Sequence, residues 1–324
     1  MRAAMCREWG PPEVVEIEDV PAPMLQAGQI RVDIHAASVN FPDVLLVAGE
    51  YQIKVPPPFI VGSEFAGPVT EVADDVTNLK VGDRVFGTAF VGAFAEQITV
   101  AALAVTRTPD TVDDASAAAF GVAHRTAYNS LRTPGAVQAG EEVIVLGAGG
   151  GVGLAAVQLA VALGASVTAV ASSDEKLDVA KQYGATTLVN HRAGDLRQAL
   201  KDALPGGADV VIDPVGGDLA EPALRSLRGG GRFVTVGFAA GTIPRIPLNL
   251  VLLKGIQIVG FEYRDFIARH GDELQRNDEE LLGLLARREV LPHIGARFPL
   301  DDVVGALRCV GDGQAIGKVV VDLP

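Results

Sequence analysis

The sequence predicts an α/β protein with a doubly wound parallel sheet, joined to a second, irregular β-rich part. Three observations point there. From about residue 115 onward, strand-like apolar runs alternate with helical ones, the pattern of a parallel sheet covered on both faces. A glycine-rich loop, Gly147 to Gly153, separates a buried-strand pattern from a helical one. Before residue 120 the runs are short, and Pro and Gly interrupt them.

In the first part, Gln29 to Ser38 alternates, with Ile30, Val32 and Ile34 on one face of an expected strand. Val69, Val72 and Val76, then Val85-Phe86, then Ala95 to Val100 read as further strands, with turns such as Gly82-Asp83. In the second part, Glu142 to Leu146 is a strand buried on both faces and Gly153 to Leu163 a helix. Ser166 to Ala171 is a strand and Asp174 to Tyr183 a helix. Thr187 to Val189, Ala208 to Asp213, Arg232 to Gly237 and Ile256 to Gly260 follow as strands. The tail holds helices at Glu273 to Arg287 and Asp301 to Val310 and a strand at Lys318 to Asp322. It is too short for a domain and is expected to pack on the N-terminal part.

The 324 residues suffice for about two domains at roughly 150 residues each. A 48% hydrophobic content supports a sizeable core. The net charge of −13 argues against a general binder of nucleic acid or of anionic membranes. Cys6 and Cys309 are too few for a disulfide framework and suit a reducing, cytoplasmic setting. Met1 to Gly10 has no apolar stretch of signal-peptide type. Leu154 to Ala165, broken by Gln158, is too short to span a bilayer.

The glycine loop is the strongest chemical signal. At Gly149, Gly150, Gly151, Val152 and Gly153, the strand–loop–helix setting matches a Rossmann dinucleotide fingerprint, although Ala148 stands where its first Gly is usual. The helix N-terminus supplies open N–H donors for a pyrophosphate, so no basic surface is required. The next strand ends Val170-Ala171-Ser172-Ser173, without the carboxylate that binds an NAD ribose. Ser172 and Ser173, followed by Lys176, His191 and Arg192, suit a 2′-phosphate, and the expected cofactor is NADPH.

Gly150-Gly-Val-Gly-Leu-Ala-Ala-Val-Gln-Leu-Ala160 and Ala171-Ser-Ser-Asp-Glu-Lys-Leu177 resemble the quinone oxidoreductase branch of the medium-chain dehydrogenase/reductase superfamily. So do Val39-Asn-Phe-Pro-Asp43, Gly62-Ser-Glu-Phe-Ala-Gly67, Val210-Val-Ile-Asp-Pro-Val-Gly-Gly217 and Gly317-Lys-Val319. The resemblance implies a GroES-like catalytic domain from 1–122 and 264–324, a Rossmann domain from 123–263, and a cleft between them. Where zinc-dependent relatives carry a Cys and a His ligand, this chain has Ser38 and Ser63, and no four-cysteine lobe follows, so no metal is expected. Glu64 is then left without its usual partners and is expected to be a structural residue buried under the cleft.

Without a metal, hydride transfer is easiest to an acceptor that is already electron-poor. A quinone is the expected substrate; an enone or other activated C=C bond is the alternative, and a non-catalytic NADPH-binding protein a third reading. The resemblance gives Asn40 and Tyr51 catalytic positions, with Leu45 where several relatives have a second Tyr. It assigns Thr126, Val215, Gly237, Phe238, Phe261 and Lys318 to the cofactor, and suggests Arg264 as a closing residue. It also implies a homodimer, joined along the edge strand near Gly255 to Gly260.

Overall fold

The structure, a computed structural model, describes residues 1–324 and divides into two units: Met1–Val122 with Leu291–Pro324, and Ala123–Val290.

The first unit opens with β1 (Arg2–Cys6), β2 (Val15–Asp19), β3 (Gln29–Asp33), β4 (Ala36–Val39), α1 (Phe41–Val47), β5 (Phe59–Ile60), β6 (Glu64–Val72), β7 (Arg84–Thr88), β8 (Gln97–Ala101), β9 (Val105–Arg107) and α2 (Asp114–Ala118). The second runs through α3 (Gly121–Arg132), β10 (Glu142–Leu146), α4 (Gly151–Ala162), β11 (Ser166–Ala171), α5 (Asp174–Gln182), β12 (Thr187–Asn190), α6 (Leu196–Ala203), β13 (Ala208–Asp213) and α7 (Ala220–Arg225). It ends with β14 (Leu227–Thr235), α8 (Leu248–Lys254), β15 (Gln257–Gly260), α9 (Tyr263–Arg269) and α10 (Gly271–Ala286). The chain then returns to the first unit as β16 (Ile294–Pro299), α11 (Val303–Gly311) and β17 (Lys318–Asp322).

The second unit is the doubly wound sheet. Its strands lie in the order β12-β11-β10-β13-β14-β15 and every pair is parallel. Parallel strands flanked by helices need apolar side chains on both faces. Val143 to Leu146 and Val210 to Ile212 meet that need, each fully buried.

The first unit is β-rich. One sheet runs β16-β17-β4-β6-β3-β8, with β7 pairing β6 and β9, and a smaller one runs β2-β1-β5. The returning β17 lies antiparallel to β4, with Val319 opposite Val39. Phe65, Phe94, Val319 and Val321 share one buried core, so the tail is part of this unit's interior.

Three features differ from the sequence expectation. The run from Gln29 to Ser38 is two strands, because the chain leaves β3 at Ile34-His35 and changes partner from β8 to β17. Phe41 to Val47, to which the sequence reading assigns no element, is a helix. The second unit ends at Val290, past the expected 263, because α10 is tied to α3. Tyr128 Oη donates to Glu280 at 2.6 Å, buried Asn277 donates to Asn129 at 2.8 Å, and Arg125 pairs with Asp278.

Candidate functional site

In the second unit, β10 passes into α4 through Gly147-Ala-Gly-Gly150. Gly147 has φ of +63°, a left-handed conformation that glycine adopts without steric cost. A Cβ at Gly153 would lie 2.0 Å from Gly147 O, so only glycine lets the helix start this close to the strand end. Gly150 differs: its nearest neighbour would be 3.5 Å from a Cβ. The protein does not need glycine there for packing, and the missing side chain leaves backbone open to a ligand. Gly150 is also the N-cap and provides no side-chain cap, so first-turn N–H groups of α4 stay available. These features fit a dinucleotide pyrophosphate.

The cations come together at the same loop. A Cβ on Gly149 would sit 2.6 Å from Lys176 Cβ, so the Lys176 stem lies over the glycine loop. Burial pushes the His191 imidazole below its ordinary value, and the charges of Arg192 and Lys176 push it the same way. Lys176, His191 and Arg192 therefore form one electropositive cluster. Ser173 caps α5, its Oγ accepting from Lys176 N. Asp174, the first carboxylate after β11, is engaged by Asn190 Nδ2 at 2.8 Å.

Past β13, Asp213 orders the next turn. Its Oδ1 accepts from Val215 N at 2.9 Å and Gly216 N at 2.8 Å, and burial raises its pKa above the usual carboxylate value. Gly216 adopts φ of +69°, and a Cβ there would meet the Phe238 ring at 2.8 Å. Phe238 is thus seated over Gly216 just beyond β14, with Gly237 before it. Phe261 is buried against Phe266, Arg264 is exposed beside Glu262, and Thr126 is half-buried on α3.

The first unit holds a buried polar knot. Asn40, at the start of α1, donates from Nδ2 to Glu64 Oε2 at 2.8 Å, and Lys318 Nζ donates to Asn40 Oδ1 at 2.6 Å. Lys318 and Glu64 form an ion pair at 2.9 Å and are 4% and 0% exposed. The other Glu64 oxygen accepts from Val122 N. Asp43 accepts from Asn40 N at 2.7 Å, and burial pushes its pKa to about 7. Ser38 Oγ bonds Val319 O at 3.2 Å.

Glu64, left without metal-site partners, is fully buried and has three others, Asn40, Lys318 and Val122 N. Lys318, expected at the cofactor, has its ammonium bound to Glu64, Asn40 and Val39 O, because β17 carries it into the interior beside β4. Hydroxyls at Ser38 and Ser63 and a carboxylate neutralised by lysine do not make a zinc donor set. Tyr51 is half-buried and packs on the first unit's core, its ring 6.4 Å from Phe90; its hydroxyl has no protein partner. The roles of Asp43 and Asp213 were missed, although the Asp-Pro-Val-Gly-Gly run is a turn signal.

Two family models match the chain: an alcohol dehydrogenase GroES-like domain over residues 26–110 and a zinc-binding dehydrogenase over residues 151–275. The chain is 39% identical to quinone oxidoreductase-like protein 2 of Bos taurus, over 99% of this chain and 92% of that protein. The crystal structure of Escherichia coli quinone oxidoreductase complexed with NADPH superposes with a TM-score of 0.91 at 27% identity, covering 99% of this chain and 100% of that one. A mycocerosic acid synthase-like polyketide synthase of Mycobacterium tuberculosis is 31% identical over 92% of this chain, a stretch that makes up 14% of that protein.

Proposed function

The chain belongs to the quinone oxidoreductase branch of the medium-chain dehydrogenase/reductase superfamily, and on that premise we propose that it is an NADPH-dependent, zinc-independent reductase of quinones or similarly electron-poor acceptors. The observation that carries the cofactor choice is the Lys176 stem over Gly149, with His191 and Arg192 beside it. A 2′-phosphate would be neutralised there, and β11 ends without the carboxylate that an NAD ribose would need. The NADPH bound by the Escherichia coli relative supports the same choice.

When bound, the reduced nicotinamide supplies a hydride. The first-turn N–H groups of α4 hold the pyrophosphate, and Gly237 and Phe238 form the surface for the nicotinamide end. Thr126, Val215 and Phe261 complete the cofactor contacts in this reading. Asn40 and Tyr51 address the acceptor end. With a lysine where metal ligation would be needed, the first unit offers no Lewis acid for alkoxide formation, so reduction of an activated acceptor is favoured over alcohol oxidation. Water supplies the proton for the reduced oxygen.

The likeness to a stretch of a polyketide synthase favours a second reading, reduction of an activated C=C bond by the same residues. We further propose a homodimer. β15 is an edge strand, and neighbouring α8 exposes Leu248, Leu252 and Leu253 by 75%, 81% and 77%. Two free cysteines suit a cytoplasmic protein, and no helix is long and apolar enough to cross a membrane.

The test follows NADPH absorbance with 9,10-phenanthrenequinone and an enone panel, repeated with NADH. Turnover of the quinone with NADPH preferred is expected. Tight NADPH binding without turnover of any acceptor would overturn the enzymatic reading.

A further inference from the structure

What Asn40 can offer a bound molecule is decided by its surroundings. Lys318 Nζ stands 2.6 Å from Oδ1, and Glu64 Oε2 stands 2.8 Å from Nδ2. An ammonium has only donors and a carboxylate only acceptors. The amide can therefore face one way; turned over, it would set donor against donor and acceptor against acceptor. Its other N–H is directed at Ser63 Oγ, 3.3 Å away, and Ser38 O, 3.5 Å away. Both N–H groups are committed inside the unit, and Oδ1 keeps one free lone pair. The clamp itself is fixed. Lys318 and Glu64 pair at 2.9 Å in the interior, and Val122 N holds the second Glu64 oxygen. Neither can swing away without leaving a buried polar group unpaired.

We infer that Lys318 and Glu64 are positioning residues that make Asn40 an acceptor-only contact. It takes a hydrogen from a hydroxyl, that of a ribose or of a reduced quinol, and does not donate to a quinone carbonyl. This rests on the proposed placement of Asn40 at the reacting molecules.

A polarity swap tests it. In Glu64→Gln, Val122 N still claims the remaining oxygen, so the new amide N–H faces Asn40 Nδ2 and Lys318, and the clamp is frustrated. Adding Asn40→Asp gives both that N–H and Lys318 a carboxylate acceptor, restores the cluster's net charge and leaves an acceptor facing the ligand; only the contact between Lys318 and position 64 stays donor to donor. E64Q is expected to lose about tenfold or more in kcat/KM or in NADPH affinity, the size of one charge-assisted hydrogen bond. N40D/E64Q should regain most of that loss. Loss in NADPH affinity would mark the ribose as the hydroxyl donor, and loss in kcat alone the quinol. A folded double variant no better than E64Q would overturn the inference, because an ionised carboxylate cannot donate.

Should E64Q not fold, N40D alone carries the test through its pH profile. The ionisable groups around position 40 are Glu64, Lys318 and Asp43. The new carboxylate and Glu64 must share a proton to lie together. Activity or affinity should therefore recover on acidification from pH 8 to 5, relative to wild type. A variant that is folded yet inactive at every pH would overturn the inference. If the wild-type protein binds NADPH without turnover, the proposed function fails, while the affinity readout still decides the role of Asn40.

Discussion

The two polar regions of this protein are built on opposite plans. In the second unit, the glycine loop and its cations lie within one stretch of chain, and the loop's open polar groups are mainly backbone N–H. In the first unit, the clustered polar groups are side chains, and the ion pair that holds them joins residues 254 apart in sequence. A backbone site tolerates chemical change but not added volume. A side-chain knot tolerates volume better than loss of charge. Mutations can break or sharpen this contrast.

The largest effect is expected at the knot. Lys318→Met keeps much of the side-chain volume and removes the charge, leaving Glu64 fully buried without its ammonium. Breaking a buried pair from one side typically costs about 3–5 kcal/mol. Urea denaturation should show a loss of that size in unfolding free energy, seen as a lower midpoint at constant m. A loss below about 1 kcal/mol, the ordinary range of exposed pairs, would mean that the knot is no different from a surface ion pair.

Two substitutions in the glycine loop sharpen the other half of the contrast. Gly153→Ala forces a Cβ to within 2.0 Å of Gly147 O, so the loop must move. Overpacking of this kind costs about 1–3 kcal/mol, and NADPH affinity should fall with stability. Gly150→Ala meets only an ordinary 3.5 Å contact. It should leave the unfolding midpoint unchanged and still weaken NADPH binding, read by fluorescence titration. If both variants lost stability alike, Gly150 would be serving the fold and not a ligand.

The same contrast explains what was legible in the sequence. β10, β11, β13 and β17 fall at the expected residues because a strand buried on both faces is a largely apolar run. The glycine loop was legible because its residues are contiguous. The Glu64–Lys318 pair was not, since nothing local in Gly62-Ser-Glu or Gly317-Lys-Val encodes the antiparallel pairing of β17 with β4 that brings them together. The break at Ile34-His35 was hidden for a related reason: alternation continues across it while the pairing partner changes. The unit boundary was missed because the polar contacts that tie α10 to α3, such as Asn277–Asn129, join residues far apart in sequence and carry no local signal.

Asp43 gives the knot a pH signature in its stability. Burial raises its folded-state pKa from 3.8 to about 7. Between those values the folded protein holds a proton that the unfolded chain has released, so this group's contribution falls as pH rises. The slope approaches 1.4 kcal/mol per pH unit and flattens above about pH 7. Exposed pairs such as Glu13–Arg308 act in the opposite direction at lower pH, because their carboxylates are lowered. The quantity to measure is therefore the difference between wild type and Asp43→Asn in urea midpoints from pH 5 to 8. The wild type should lose stability relative to the variant across that window. A constant difference would place Asp43 in contact with water.

The smallest effect is expected at His191, where the loop's own charge cluster becomes pH-sensitive. Burial first, then Arg192 and Lys176, hold the imidazole below its ordinary value, so it is mostly neutral near pH 7 in the free protein. A bound 2′-phosphate would favour the protonated ring. NADPH affinity should then gain over NADH affinity as pH falls from 7 toward 5.5, by about two- to fivefold, the size of a partly exposed ion pair. The phosphate also takes up a proton in this range and weakens the same contacts, so His191→Asn is the necessary control. The wild-type ratio of NADPH to NADH affinity should rise relative to the variant's on acidification. If the two ratios stayed parallel, the cofactor phosphate would be neutralised by Lys176 and Arg192 alone, and the two plans would differ in their pH response as well as in their chemistry.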